Sequence, residues 1–180
     1  MKSVRIYLFV MLLTISGCTQ ESSTPNIHDE LNQKVDFPVV LPEFDQYVLN
    51  YAAIETSPVS DKRKTITLGY APERNESTKL TKEEKETLKN DQNKEVLLGN
   101  PKNENNFYIN IDNSEAKLVN GERTTISGYE VQYWVGDQNA NYVLNTAGAT
   151  YSLNVIFSQT SKQARDGIVK SMVEQISKTK

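Results

Sequence analysis

Cysteine and histidine, the side chains that most often act as nucleophiles, bases and metal ligands, occur once each in this chain of 180 residues. With Cys18 alone, no intramolecular disulfide can form. His28 has no second histidine or cysteine nearby with which to bind a metal ion or to form a nucleophile–base pair. These shortages exclude catalysis based on cysteine or histidine.

Common catalytic and ligand-binding motifs are missing as well, including G-x-S-x-G, C-x-x-C and H-E-x-x-H. Residues 99–102 lack the second glycine and the Ser/Thr of a phosphate-binding loop. Residues 137–141 copy the start of a calcium loop, but Tyr142 replaces its glycine and Gly148 stands where its bidentate glutamate belongs. We therefore expect a protein that is not an enzyme and that needs neither a cofactor nor a metal.

Basic residues are also in the minority, with 20 Lys and Arg against 23 Asp and Glu. If Lys2 and Arg5 are removed with a leader, the net charge of −3 becomes −5. Nucleic-acid binding requires a basic surface, so this balance argues against a nucleic-acid partner. It also argues against a polybasic patch that would hold the protein on a membrane.

The N-terminus carries the clearest signal in the chain. Lys2 and Arg5 precede an uncharged apolar run, residues 6–15, which is too short to span a bilayer as a stable helix. A basic start, a short apolar middle and small residues before a cleavage site are typical of a secretory signal peptide. Residues 15–18, Ile-Ser-Gly-Cys, resemble the lipobox of bacterial lipoproteins. That resemblance implies cleavage before Cys18, a diacylglycerol attached to its sulfur, and a lipid anchor on the extracytoplasmic face of the cell membrane.

The chain therefore divides into a signal peptide at 1–17, a lipidated flexible tether at 18–34, and one domain at 35–180. We expect the tether to be flexible because Ile27 and Leu31 are its only large apolar residues. His28 lies in it and is expected to be solvated. The domain begins with V-D-F-P-V-V-L-P. Its prolines argue against a central strand and favour an edge segment that lies across a core.

Most of the domain shows the alternation of apolar and polar residues that is typical of antiparallel strands with one solvated face. The alternating segments are 47–54, 65–70, 107–112, 129–135 and 151–158. Asn120-Gly121 is the strongest hairpin signal and predicts a turn between strands at 116–119 and 123–126. At the C-terminus, Thr160 and Gln163 fit a capping box, and Ala164, Ile168, Met172 and Ile176 form an apolar stripe at helical spacing.

These patterns predict an α+β fold: a curved, mostly antiparallel sheet of about seven strands, packed by one C-terminal helix over residues 160–177. A charged insertion at about 73–106 interrupts the strands. Thr81 and Glu84 predict a short capped helix in the insertion, which is either a solvated excursion or a segment that binds a partner.

A low-specificity candidate binding surface lies on the solvated face of strand 129–135. Trp134 stands there beside Gln132 and Glu130, and a plain solubilising face is the alternative. The chain also contains nine tyrosines, many of them in the predicted strands. These fill a core with their hydroxyls at its rim, or, if the sheet curves away from the helix, line an amphipathic groove.

The order of several segments resembles an uncharacterised domain family of Gram-positive lipoproteins and membrane-tethered regulators. The similarity covers roughly 35–177 and includes K-T-I-T-L-G-Y, I-S-G-Y-E-V-Q-Y-W-V, N-Y-V-L and the final S-M-V-E-Q-I. The outline of such domains is distantly similar to the half-barrels of lipoprotein carriers and envelope sensors. The resemblance implies a binding or sensing module for a protein or cell-envelope component. A lipid or lipoprotein carrier is the alternative, and an enzyme is the least supported reading.

Overall fold

The computed structural model describes residues 27–74 and 80–178, which form an α+β domain around one antiparallel, curved, open sheet. In chain order the elements are α1 (Ile27–Lys34), β1 (Val48–Ser57), β2 (Ser60–Ala71), α2 (Lys82–Gln92), β3 (Lys94–Leu98), β4 (Phe107–Asp112), β5 (Glu122–Ile126), β6 (Tyr129–Val135), β7 (Asn139–Asn145), β8 (Thr150–Ile156) and α3 (Lys162–Ser177). The sheet has eight strands in the order β3-β1-β2-β4-β8-β7-β6-β5. The predicted fold class is confirmed, with one strand more than the expected seven.

The inner face of the sheet, defined as the face that packs against α3, carries the hydrophobic core. Alternate residues of the strands point into it, and Ile109, Ile111 and Leu153 are almost fully buried. The helix contributes Met172 and Val173, both with 0% exposure, together with Ile168, Val169 and Ile176. The predicted packing of the C-terminal helix on the apolar face is therefore confirmed.

The first turn of α3 differs from the prediction. Its N-cap is Ser161, whose side chain accepts a hydrogen bond from the Ala164 backbone N–H at 3.2 Å. Thr160 was expected in this role, but it is buried and its hydroxyl donates to the Asn106 carbonyl at 3.4 Å. Because that hydroxyl already has a partner, the next residue caps the helix.

Residues 27–34 are not a flexible tether, so that prediction is wrong for this segment. They form α1, in which Ile27 and Leu31 lie one turn apart on the same face and join the main core. The Lys34 ammonium contacts the Glu95 carboxylate of β3 at 2.9 Å, and the His28 ring lies 3.2 Å from the Val39 carbonyl. The domain therefore begins no later than Ile27, eight residues before the predicted start at 35.

The hairpin turn that was expected at Asn120-Gly121 lies elsewhere. The β5–β6 hairpin turns at Ser127-Gly128, with positive φ angles of 50° and 84°, as a type I′ turn requires. Residues 115–118 are not a strand; Asn120-Gly121 instead ends a turn in which the Gly121 N–H donates to the Leu118 carbonyl at 3.2 Å. The backbone of that segment forms hydrogen bonds with the Asn145 and Gln132 side chains of the sheet, so it is held without strand pairing.

The charged insertion is only partly an excursion. Thr81 and Glu84 form the predicted capping box at the start of α2. The insertion also supplies β3, which pairs with β1 at the sheet edge. Leu88 of α2 packs with Tyr51 and Val96 on the outer face, defined as the face opposite α3.

The segment that contains V-D-F-P-V-V-L-P lies over the core outside the sheet, as its prolines predict. Phe37 and Val39 are buried in it. Two tyrosines fix its path: Tyr70 donates its hydroxyl hydrogen bond to the Pro42 carbonyl at 2.8 Å, and the Tyr151 hydroxyl accepts from the Val40 N–H at 2.9 Å. Two buried phenols, one as donor and one as acceptor, thus hold the segment in place.

Candidate functional site

Trp134, the only tryptophan of the chain, stands on the outer face of β6 with 44% of its surface exposed. Its indole lies over Gly136, and a Cβ added at that glycine would collide with the ring. The position of the indole therefore depends on the absence of a side chain at Gly136. A solvent-facing aromatic ring is a common element of binding surfaces.

The other two predicted site residues have partners within the fold. Gln132 is buried to 9% exposure, and its carbonyl oxygen accepts from the Leu118 N–H at 3.1 Å. Glu130 is exposed and forms an ion pair with Arg123 at 3.1 Å. The three side chains share the outer face of β6, where Gln132 anchors the segment before β5.

A row of polar side chains that the sequence analysis did not identify continues from Trp134 across the sheet. The register pairs Trp134 with Asn141, Asn141 with Asn154, and Asn154 with Tyr108. The Asn154 amide donates to the Asn141 side-chain oxygen at 2.7 Å. Since neighbouring strands lie about 4.8 Å apart, this row spans about 14 Å across four strands.

A second, parallel row lies two residues further along the strands. It contains Asn110 and Ser152, which are register partners, and the Thr67 hydroxyl donates to the Asn110 side-chain oxygen at 3.0 Å. We call the two rows the outer strip and define it by six side chains, each half-buried except the more exposed Trp134: Trp134, Asn141, Asn154, Tyr108, Asn110 and Ser152. None of the six is charged at neutral pH.

Covered regions border the outer strip on two sides. On one side, Leu88 of α2 packs near Tyr108. On the other, the segment before β5 is fixed because the Asn145 side chain accepts from the Ala116 N–H at 3.2 Å and donates to the Ala116 carbonyl at 3.0 Å. The strip is thus an open, uncharged part of the outer face between these two regions. The sequence signal that would have identified it is asparagine at alternating strand positions, where this residue is normally depleted.

An open groove of about 530 Å³ lies on the other side of the molecule, between residues 44–47 and α3. Phe44 and Tyr47 form one wall and stack edge-on against Phe107 at 5.1 Å. Ser161 and Gln163 are among the polar residues that line the opposite wall. The groove is therefore mixed in polarity and open to solvent.

The hypothesis of a tyrosine-lined groove between the sheet and the helix is wrong, because that space is filled. Tyr70 and Tyr151 are 1% and 2% exposed and belong to the main core with Met172. Burial raises the pKa of both phenols; nearby Glu43 adds to the effect at Tyr70. These tyrosines pack the core and anchor residues 39–42; they do not form a ligand site.

Cys18 and the predicted signal peptide lie outside the described residues. Among residues 27–74 and 80–178, no helix is both long and apolar enough to cross a bilayer. In the same part of the chain, no group of three His, Cys, Asp or Glu side chains is placed to hold a metal ion.

Comparison with protein-family models, with curated proteins and with solved structures found no significant match. The resemblance to a Gram-positive lipoprotein domain family therefore remains a prediction from the sequence.

Proposed function

We propose that this protein is a lipid-anchored, extracytoplasmic binding or sensing module that engages a protein or cell-envelope component without catalysing a reaction. The observation that carries the proposal is Trp134, an exposed aromatic ring at one end of the uncharged outer strip. The strip lies on a sheet whose other face carries the main hydrophobic core. A rigid platform with one exposed aromatic anchor is suited to recognition.

The lipobox-like sequence that ends at Cys18 supports the anchor, and the start of the domain limits the length of the link to it. A chain that runs from Cys18 to Ile27 contains nine Cα–Cα steps and reaches at most about 30 Å when fully extended. Because α1 belongs to the domain, the link is much shorter than the predicted 18–34 tether. We infer that the domain stays close to the membrane and meets ligands in the adjacent layer of the envelope.

A lipid or lipoprotein carrier is the second candidate, and the groove between residues 44–47 and α3 is the observation that favours it. Its volume falls in the range of small-molecule sites, and Phe44 and Tyr47 give it an aromatic wall. A carrier must shield acyl chains from water. An open groove with polar residues in its lining does this poorly, so we favour the binding module.

Cosedimentation of an unlipidated chain, without residues 1–17 and with Cys18→Ser, with isolated cell envelopes tests the binding function, because a lipid anchor would hold every variant on the membrane. We expect Trp134→Ala to lower the bound fraction at least fivefold, because loss of one aromatic anchor commonly costs more than 1 kcal/mol of binding free energy. The control is Val59→Ala, which removes an apolar side chain that is 89% exposed on the β1–β2 turn. Equal retention of wild type and both variants would contradict the proposal, provided that circular dichroism shows each to be folded.

A further inference from the structure

We propose that the ligand of the outer strip is an uncharged glycan strand. This inference rests on the proposed binding function and specifies its ligand class. The occupant is identified by three features of the strip: the number of asparagines, the absence of charge, and the aromatic ring at its end.

The outward-facing positions of the three central strands β4, β8 and β7 have an unusual composition. Five of them are asparagine (Asn110, Asn139, Asn141, Asn145 and Asn154), and only Asp112 is charged. Asparagine is disfavoured in strands, and a solvated sheet face normally carries lysine and glutamate. A repeated departure from local preference on one face indicates that a function maintains it.

Only part of this asparagine content has a structural role. Asn145 is needed by the fold, because it fixes Ala116 with two hydrogen bonds. Asn110, Asn141 and Asn154 bond instead to other side chains of the outer face, at 2.7–3.0 Å. These bonds do not connect separate segments across the core; their effect is to hold amide groups in fixed orientations at the surface.

Amide groups match the hydrogen-bonding chemistry of sugars. Each asparagine presents two donors and one acceptor oxygen, and a sugar hydroxyl both donates and accepts. An anionic polymer or a phospholipid headgroup would require lysine or arginine, because charge-assisted hydrogen bonds dominate the recognition of such groups. Arg123 is the one cationic side chain that the described residues place on the outer face of β5 and β6, and it is paired with Glu130 at 3.1 Å.

The aromatic end of the strip complements a pyranose ring. The C–H face of a sugar is apolar and packs on an indole, while its rim of hydroxyls reaches the adjoining amides. Trp134 and Asn141 are register partners, so these two kinds of group stand side by side. The row of about 14 Å is longer than one sugar ring, which suits a strand that crosses the sheet at right angles to the β-strands.

Trp134 supplies the signal for the test, because it is the only tryptophan of the chain. The unlipidated chain, without residues 1–17 and with Cys18→Ser, needs no detergent and is titrated with soluble chitin oligosaccharides and with a soluble neutral glucan while its fluorescence is recorded. We expect a saturable change in tryptophan emission with at least one of these neutral glycans. A poly(glycerol phosphate) and vesicles of phosphatidylglycerol serve as the anionic polymer and lipid arms, and should give no saturable change.

Two kinds of variant locate the site. Asn154→Ala and Asn141→Ala should each weaken the affinity about tenfold, the effect of losing one hydrogen bond to a ligand. Gly136→Ala should weaken it as well, since the indole must move. The matched control is Asn32→Ala, which removes an exposed asparagine of α1 outside the strip.

The outcomes separate this inference from the proposed function. No response to either neutral glycan, or equal affinity in the Asn154→Ala variant, would overturn the glycan assignment. A saturable response to the vesicles or to the anionic polymer, without one to a neutral glycan, would overturn the glycan assignment too. In each of these cases the binding function would still stand if Trp134→Ala lowered retention on envelopes. If wild type and Trp134→Ala were retained equally on envelopes, the proposed binding function, on which this inference rests, would be overturned instead.

Discussion

At the scale of single residues, glycines show where the fold needs the absence of a side chain. The side chain of Asn105 lies over Gly69, and the indole of Trp134 lies over Gly136. Gly128 adopts a positive φ in the hairpin turn. Gly167 lies inside α3 without a positive φ, and a Cβ added to it would meet nothing within 4 Å, so neither reason applies to it.

We therefore predict that Gly167→Ala stabilises the protein by about 0.5–1 kcal/mol, since alanine loses less backbone entropy than glycine on entering a helix. Urea unfolding monitored by circular dichroism measures the change. Gly69→Ala is the contrasting variant and should destabilise the protein, because its Cβ would collide with the buried Asn105 side chain. A loss of stability in Gly167→Ala would contradict the free space that the structure shows beside Gly167.

At the scale of elements, the sequence predicts a strand or helix correctly where the apolar pattern within that one segment is sufficient to define it. The alternation at 107–112 and 151–158 predicted β4 and β8, and the apolar stripe of residues 164–176 predicted α3. It failed where the stabilising partner is remote. α1 has just two core residues, too few to stabilise an isolated helix, and it is stable because both pack into a core formed by distant segments.

The outer strip shows the same limit for the candidate site. Trp134 could be recognised from the sequence as an amphipathic aromatic on a solvated face. Asn110, Asn141 and Asn154 could not be grouped with it, because they lie on three strands and only the register brings them together. The turn at Ser127-Gly128 has a local signal, a Ser-Gly dipeptide directly before an alternating segment, but Asn-Gly is the stronger hairpin signal when only the sequence is read.

Leu31→Ala tests the assignment of α1 to the domain. Leu31 is completely buried, so its truncation should cost about 2–5 kcal/mol of unfolding free energy. The exposed neighbour Asn32, substituted by alanine, should change stability by less than about 1 kcal/mol. Chemical denaturation of both variants measures the difference, and equal stabilities would mean that residues 27–34 do not pack on the core.

At the scale of the whole molecule, the two faces of the sheet have different roles. The inner face is packed by α1 and α3, while the outer face is covered at its sides and open at the strip. Several buried phenols belong to this packing and tie stability to pH. Burial is the main cause that raises the pKa of Tyr51 to about 12, with smaller contributions from Tyr108 and Glu55.

We predict that the protein loses stability progressively above about pH 10. In the unfolded chain a tyrosine ionises near pH 10, whereas Tyr51 in the fold keeps its proton until about pH 12. The unfolded state therefore releases protons first, so the stabilisation is complete below the unfolded pKa and declines as pH rises through the folded pKa. The raised pKa values of Tyr70 and Tyr151 act in the same direction.

Urea unfolding at a series of pH values between about 8 and 11 measures this loss. Tyrosinate absorbance should lag behind that of a denatured sample and then increase together with unfolding. Tyr51→Phe should flatten the pH dependence. A free energy of unfolding that stays constant or increases above pH 10 would contradict the packing of these phenols.

Mass spectrometry of the native protein, extracted from membranes in a non-denaturing detergent, tests the central claim most directly. A lipid-anchored module predicts a chain that begins at Cys18 with a diacylglycerol on its sulfur, and a Cys18→Ser variant that lacks this modification. Recovery of the native protein from the culture medium with an unmodified Cys18 would contradict the claim.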